Sequence, residues 1–235
     1  MIQRSSPLRL ALFDCDGTLV DSQHAIVAAM TAAFRGAGLE PPAAERVRRI
    51  VGLPLVDAIA ALLPEADPAL HVEMSDTYKA AFFENRQSGR YLEPLYPGVV
   101  EALDRLEGEG WLLGVATGKS RRGLVAILTH HGLLDRFSTL QTSDLVAGKP
   151  HPDMVLHAMA ETGAERDGTV VIGDTTYDVM MARNARVPAV GVSWGYHDGA
   201  ELLAAGAGRL CRDWAEVPDA VAALAGSAAS VGGMA

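Results

Sequence analysis

Short apolar strand signals alternate with amphipathic helix signals along most of this 235-residue chain, and no other feature narrows the possible folds as much. The run Leu8 to Phe13 reads as a strand that stops at Asp14 and passes into the turn residues Asp16-Gly17. Ser22 to Arg35 repeats Ala, Ile, Val and Met at three- and four-residue steps and ends at Gly36 and Gly38, the pattern of a helix and its stop. From residue 99 onward, helices are predicted over 99–109, 121–131, 153–161 and 177–185. Strands are predicted over 111–116, 138–141, 169–172 and 189–192, and final helices over 200–205 and 216–225. Repeated βα units require a parallel sheet covered on both faces, so the fold class is α/β. One stretch breaks the rhythm. Between residues 41 and 91 there is no strand signal, only helix-like segments over 43–50, 55–63 and 68–85, punctuated by Gly52-Leu53-Pro54 and Pro64. This predicts an all-helical cap inserted after the first strand. Residues 226–235 are small and polar enough for a disordered tail.

Charge and cysteine content exclude several function classes. Twenty basic residues against 29 acidic ones give a net charge of -9, which leaves no basic stripe to neutralise consecutive phosphates of a nucleic acid. Only Cys15 and Cys211 occur, far apart, so neither a disulfide framework nor a cysteine-rich zinc module is expected. The N-terminal apolar run contains Arg9 and is too short for a signal peptide or a membrane span, so a cytoplasmic location without membrane partners is the default expectation.

In open parallel sheets, ligands bind at the carboxyl ends of the strands. The residues there are Asp14, then Thr117, then Asp144 with Lys149, then Asp174. A single aspartate in such a loop is commonly a turn or cap residue. Several of them, each following an apolar strand, call for another explanation. Asp14, Asp16, Asp174 and Asp178 would converge on one rim, where two like charges 4 Å apart repel by roughly 4 kcal/mol at an effective dielectric of 20. A hard cation such as Mg²⁺ would offset that repulsion. With Lys149 and the Thr117 hydroxyl, it would form a socket for a phosphoryl group. One carboxylate facing the phosphorus can act as nucleophile, and a second, two residues on, as acid and then base.

Four segments carry a family resemblance: Asp14-Cys15-Asp16-Gly17-Thr18-Leu19-Val20-Asp21-Ser22, Ala116-Thr117-Gly118-Lys119, Gly148-Lys149-Pro150-His151-Pro152-Asp153 and Gly173-Asp174-Thr175-Thr176-Tyr177-Asp178. In this order they closely resemble the signatures of haloacid dehalogenase-like phosphatases. The resemblance covers about residues 8–225. It implies a Rossmann-like three-layer core over 1–21 and 93–225 and a helical cap over 22–92. It further implies that Asp14 is the nucleophile and a Mg²⁺ ligand, and that Asp16 is the acid and base and offers its backbone carbonyl to the metal. Thr117, Gly118 and Lys149 would bind phosphate, Asp174 would bind Mg²⁺ directly, and Asp178 would support the site from behind. Gly17 would let the backbone approach the phosphate. Asp16 separates the chain from dehalogenases, which lack it. Leu55 stands where phosphonoacetaldehyde hydrolases carry their Schiff-base lysine, and Thr18 where β-phosphoglucomutases typically carry valine or isoleucine. The expected activity is Mg²⁺-dependent hydrolysis of a small phosphorylated metabolite. The stretches Asp16–Ser22, Gly148–Asp153 and Val192–Tyr196 look most like phosphoglycolate phosphatases, making 2-phosphoglycolate the expected substrate. A sugar phosphomutase and a non-catalytic phosphate-binding protein are the alternatives.

Other patterns read as structural. Gly114 to Ser120 has three residues between its glycines where a nucleotide P-loop needs four. Gly191 to Gly195 resembles a nucleophile elbow, but no acid lies between Ser193 and the final histidine, His197. Cys15, flanked by carboxylates, is expected to pack rather than react. His130 and His131 read as helix-end residues and Trp111 and Trp214 as core. Trp194 and Tyr196 are candidates for the active-site rim. Arg46, Arg48 and Arg49 read either as a substrate-carboxylate site or as a solvated basic face.

Overall fold

A computed structural model describes residues 7–89 and 92–228. The core is a six-stranded sheet in the order β3-β2-β1-β4-β5-β6. Its strands are β1 (Arg9–Phe13), β2 (Trp111–Thr117), β3 (Phe137–Thr142), β4 (Thr169–Gly173), β5 (Ala189–Val192) and β6 (Arg209–Cys211). Every neighbouring pair is parallel. Strand side chains alternate between faces, and β1 sorts accordingly. Ala11 and Phe13 enter one hydrophobic cluster, and Leu10 and Leu12 the other. The first cluster is closed by α5 (Val99–Gly108), α6 (Arg121–His130) and α10 (Val217–Ala228), the second by α7 (Asp153–Thr162), α8 (Thr176–Ala185) and α9 (Gly199–Ala205). Both faces of the sheet are therefore dry, which explains why the strands read as unbroken apolar runs. This is the α/β core that the alternation predicts.

Between β1 and α5 the chain forms α1 (Gln23–Gly36), α2 (Ala44–Arg48), α3 (Leu55–Leu62) and α4 (Pro68–Gln87). These helices build their own core from Ile26, Met30, Phe34, Val47, Ile59 and Met74. The way in and the way out lie side by side. Val20 bridges Leu95 antiparallel, and the Asp21 N–H donates to the Pro94 carbonyl at 2.8 Å. Pro68 at the start of α4 costs no helical hydrogen bond there, and the Asp67 side chain caps that end by accepting the Ala69 N–H.

Two features depart from the sequence expectation. β6, only three residues long and edged by exposed Arg209, has too little apolar pattern to register as a strand, yet it pairs with β5. The expected tail over 226–235 begins inside α10, which runs to Ala228, and residues 229–235 lie outside the described residues. No helix among the described residues is long and apolar enough to cross a membrane.

Candidate active site

Four strand ends assemble the site. β1 delivers Asp14, whose N–H still donates to the Ile172 carbonyl of β4 at 2.8 Å, so the ladder between these two central strands fixes its backbone. β2 ends at Thr117. Beyond β3, the 148–150 segment brings in Lys149, and β4 leads into Asp174. Asp178 sits in the first turn of α8, where it forms a capping box with Thr175.

Asp14, Asp174 and Asp178 are all buried, and one carboxylate oxygen from each lies within 4.8 Å of the other two. Lys149, itself fully buried, reaches Asp14 Oδ1 at 2.5 Å and Asp178 Oδ1 at 2.6 Å. Asp174 accepts from the Thr18 hydroxyl at 2.8 Å and from the Tyr196 N–H at 2.9 Å. Three carboxylates around one ammonium leave the cluster short of positive charge. Burial, with Asp178 nearby, pushes Asp14 up to about 7 despite Lys149. Burial, then Asp14 and Asp178, raises Asp174 well above its ordinary value. For Lys149, burial opposes the charge, but Asp14 and Asp178 outweigh it and the ammonium is held more firmly than usual. Asp14 Oδ2 is buried and has no hydrogen-bond partner among the described residues. A buried orphan oxygen beside two further carboxylates is an arrangement that a divalent cation with hard-oxygen preference satisfies.

Asp16 is held differently. Its Oδ1 accepts from Ser22 Oγ at 2.5 Å and pairs with Lys119 Nζ at 3.0 Å. Ser22 Oγ lies 3.2 Å from the Tyr196 hydroxyl. Lys119 continues to Glu93 at 3.7 Å, and Glu93 pairs with Arg86 at 2.7 Å. Lys119, Ser22 and Glu93 escaped the sequence reading as site residues. The first two stand within the quoted signature segments, and that position was the only available signal. The third becomes visible only when the return linker folds against the core.

Thr117 and Gly118 line the same cavity as Asp14 and Asp16. Gly118 also abuts the loop before α3: a Cβ there would stand 2.9 Å from the Leu53 carbonyl. Lys149 lies behind Asp14 and outside the cavity lining. Asp144 is not brought into the cluster. Its carboxylate accepts the Arg121 N–H at 3.0 Å and caps α6, the ordinary use of an aspartate in such a loop. Arg49 pairs with Glu201 of α9, its Nη2 at 2.9 Å from Oε1, which joins the helical insert to the core. Trp194 donates to the Thr18 carbonyl at 3.1 Å and packs on Trp214 at the edge of the core, while Tyr196 meets Asp174 through its N–H and Ser22 through its hydroxyl; neither lines the cavity. The His197 ring is engaged by Thr176 and Arg49, away from Ser193. Burial raises the Cys15 thiol well above its ordinary value, which suits packing rather than nucleophilic attack. His131 anchors the linker through the Glu93 carbonyl at 2.8 Å.

Known proteins share this architecture. Residues 11–192 match the family model of haloacid dehalogenase-like hydrolases. A curated relative from Dickeya dadantii, "Probable phosphatase IndB", is 37% identical over 216 residues, which span 92% of this chain and 94% of that protein. A phosphoglycolate phosphatase from Agrobacterium fabrum is 34% identical over 205 residues, spanning 83% and 84%. Among solved structures, a predicted phosphatase from Clostridium acetobutylicum superposes with a TM-score of 0.84 at 26% identity, covering 93% of this chain and all of that one. A hydrolase from Pseudomonas syringae gives 0.79 at 28% identity, covering 92% and 99%. The chain belongs to the haloacid dehalogenase-like hydrolases.

Proposed function

We propose that this chain is a Mg²⁺-dependent phosphomonoester hydrolase that works through an aspartyl-phosphate on Asp14. The observation that carries the reading is Asp14 itself, a buried carboxylate that lines the cavity with one oxygen on Lys149 and the other without a hydrogen-bond partner among the described residues. Asp14 and Asp174, with the Asp16 backbone carbonyl, would hold the metal, and Asp178 would fix Lys149 behind them. Bound there, Mg²⁺ supplies charge neutralisation to the carboxylates and to the phosphoryl oxygens.

The chain's own residues then divide the work. An Asp14 carboxylate oxygen forms a bond to phosphorus as the bond from phosphorus to the substrate's alcohol oxygen breaks. Asp16 in its protonated form gives its proton to that departing oxygen. In the second half, the Asp16 carboxylate takes a proton from water, whose oxygen attacks phosphorus and releases inorganic phosphate, regenerating the Asp14 carboxylate. Ser22 and Lys119 hold Asp16 in place for both transfers. The Thr117 side chain, the Gly118 backbone and the Lys149 charge are assigned to the phosphoryl oxygens. Residues 22–92 act as a cap that keeps bulk water from the phosphorus. The Gly52–Pro54 loop, packed on Gly118 and Gly148, and the Arg49–Glu201 pair support that role. The names of the phosphoglycolate phosphatase relatives place 2-phosphoglycolate first among the esters to be tried, and the chemistry at Asp14 is independent of that choice.

Phosphate release over a panel of phosphomonoesters, with Mg²⁺ and with chelator, tests the reading. Release should require the metal and should fall by about 10³-fold or more in Asp14→Asn. Activity retained in that variant would remove Asp14 as nucleophile.

A further inference from the structure

The half of the cavity that faces away from Asp14 has a chemical character of its own. The cavity occupies about 310 Å³ between the helical insert and the core, at the lower end of the ~300–1,000 Å³ typical of small-molecule sites. Beyond Asp14, Asp16 and Thr117, its walls are formed largely by Ile26, Met30, Leu53, Tyr78 and Phe82. The rings of Tyr78 and Phe82 stack at 5.8 Å with 25° between their planes. A two-carbon carboxylated alcohol would leave most of this surface uncovered.

The cations that reach the cavity are already engaged. Lys119 is held by Asp16 and Glu93 and lies 4.7 Å from the Phe82 ring centroid. Arg86 is paired with Glu93, and Lys79 with Asp76 at 3.1 Å. Arg122 lies over the Phe83 ring at 4.5 Å. A substrate carboxylate seated beside the phosphoryl end would have to take Lys119 from Asp16 or Glu93, leaving a buried acid without its partner, which is costly, whereas Lys79 and Arg122 are exposed and offer it only a solvent-screened charge. An uncharged apolar group displaces no ion pair and gains by leaving water.

We infer that the alcohol half of the substrate is an uncharged apolar body of about the size of an aromatic ring, seated against Tyr78, Phe82, Ile26 and Met30, rather than a small carboxylated group. This rests on the phosphomonoesterase reading above and makes 2-phosphoglycolate a poor substrate.

A matched pair of esters isolates the apolar body from the chemistry. 3-Phenylpropyl phosphate and propyl phosphate have leaving oxygens of nearly equal reactivity and differ in the ring. The structure predicts that kcat/KM for the phenyl ester exceeds that for the propyl ester by about 10- to 100-fold, the worth of burying one aromatic side chain. It should exceed that for 2-phosphoglycolate by at least as much. Phe82→Ala should bring the ratio of the two alkyl esters close to one. A wild-type ratio near one, or a preference for 2-phosphoglycolate, overturns the inference and leaves the hydrolase reading intact. Absence of release from every ester overturns the hydrolase reading instead. The cavity is then decided by calorimetric binding of 3-phenylpropylphosphonate against propylphosphonate: about tenfold or tighter binding of the former supports the apolar site, and equal binding ends it.

Discussion

Gly17 shows how one residue can be necessary for more than one reason. Its φ of +90° lies in the left-handed region, and a Cβ there would stand 2.3 Å from Asp174 Oδ2 and 2.7 Å from the Tyr196 ring. The family resemblance assigns this glycine to close approach of a phosphate, and the structure adds a second demand, space for Asp174. Gly17→Ala should cost about 1–3 kcal/mol in urea unfolding from backbone strain alone. It should also lower phosphate release, because Asp174 must move. Wild-type stability in that variant would mean that the turn tolerates a side chain and the steric argument fails. Asp144 teaches the opposite lesson. By position after a strand it looked equivalent to Asp14 and Asp174, but it caps a helix. Nothing in a one-dimensional pattern distinguishes an aspartate that accepts a backbone N–H from one that faces other carboxylates.

At the scale of elements, the seam between the helical insert and the core turns on His197. Its Nδ1 accepts the Thr176 N–H at 3.1 Å, which leaves the proton on Nε2, 3.2 Å from the Arg49 carbonyl before the Gly52 loop. Burial lowers its pKa from the ordinary 6.5. The neutral ring is thus favoured in the folded state, so the unfolded chain binds the extra proton first. The stability this contributes is present above pH 6.5 and lost as pH falls through the lowered folded value. Thermal melts of the wild type should therefore lose more between pH 7 and about pH 5 than those of His197→Gln. Superimposable pH profiles would show that the ring titrates freely. The helices joined by this seam were legible because each carries an apolar stripe and a Gly or Pro stop. The contact itself was not, since it joins Arg49 and His197 across 148 residues.

For the whole molecule, the decisive feature is a sheet that gathers carboxylates from the beginning and the later part of the chain around one lysine. Metal-free, the protonated form of Asp14 is favoured by folding. That contribution is full below the ordinary 3.8 and lost as pH rises through about 7. Mg²⁺ should raise the melting temperature, by the equivalent of about 2.7 kcal/mol at 100 times its Kd. The gain should be larger at pH 8 than at pH 5, where protons compete for the same oxygens. Asp174→Asn should remove most of it. An Mg²⁺ shift that is absent, or unaffected by this variant, would place metal binding elsewhere. The α/β class, the helical insert and the acidic segments at the strand ends were legible in the linear chain. These depend on local periodicity and on residues next to strand ends, which a linear pattern records. It took the folded chain to bring Lys119, Ser22 and Glu93 to the support of Asp16, to set Asp144 aside as a helix cap, and to line the cavity beyond Asp14 mainly with apolar side chains. Those outcomes depend on which distant side chains meet in a dry space, where the energy of a charge is set by its neighbours rather than by its place in the chain.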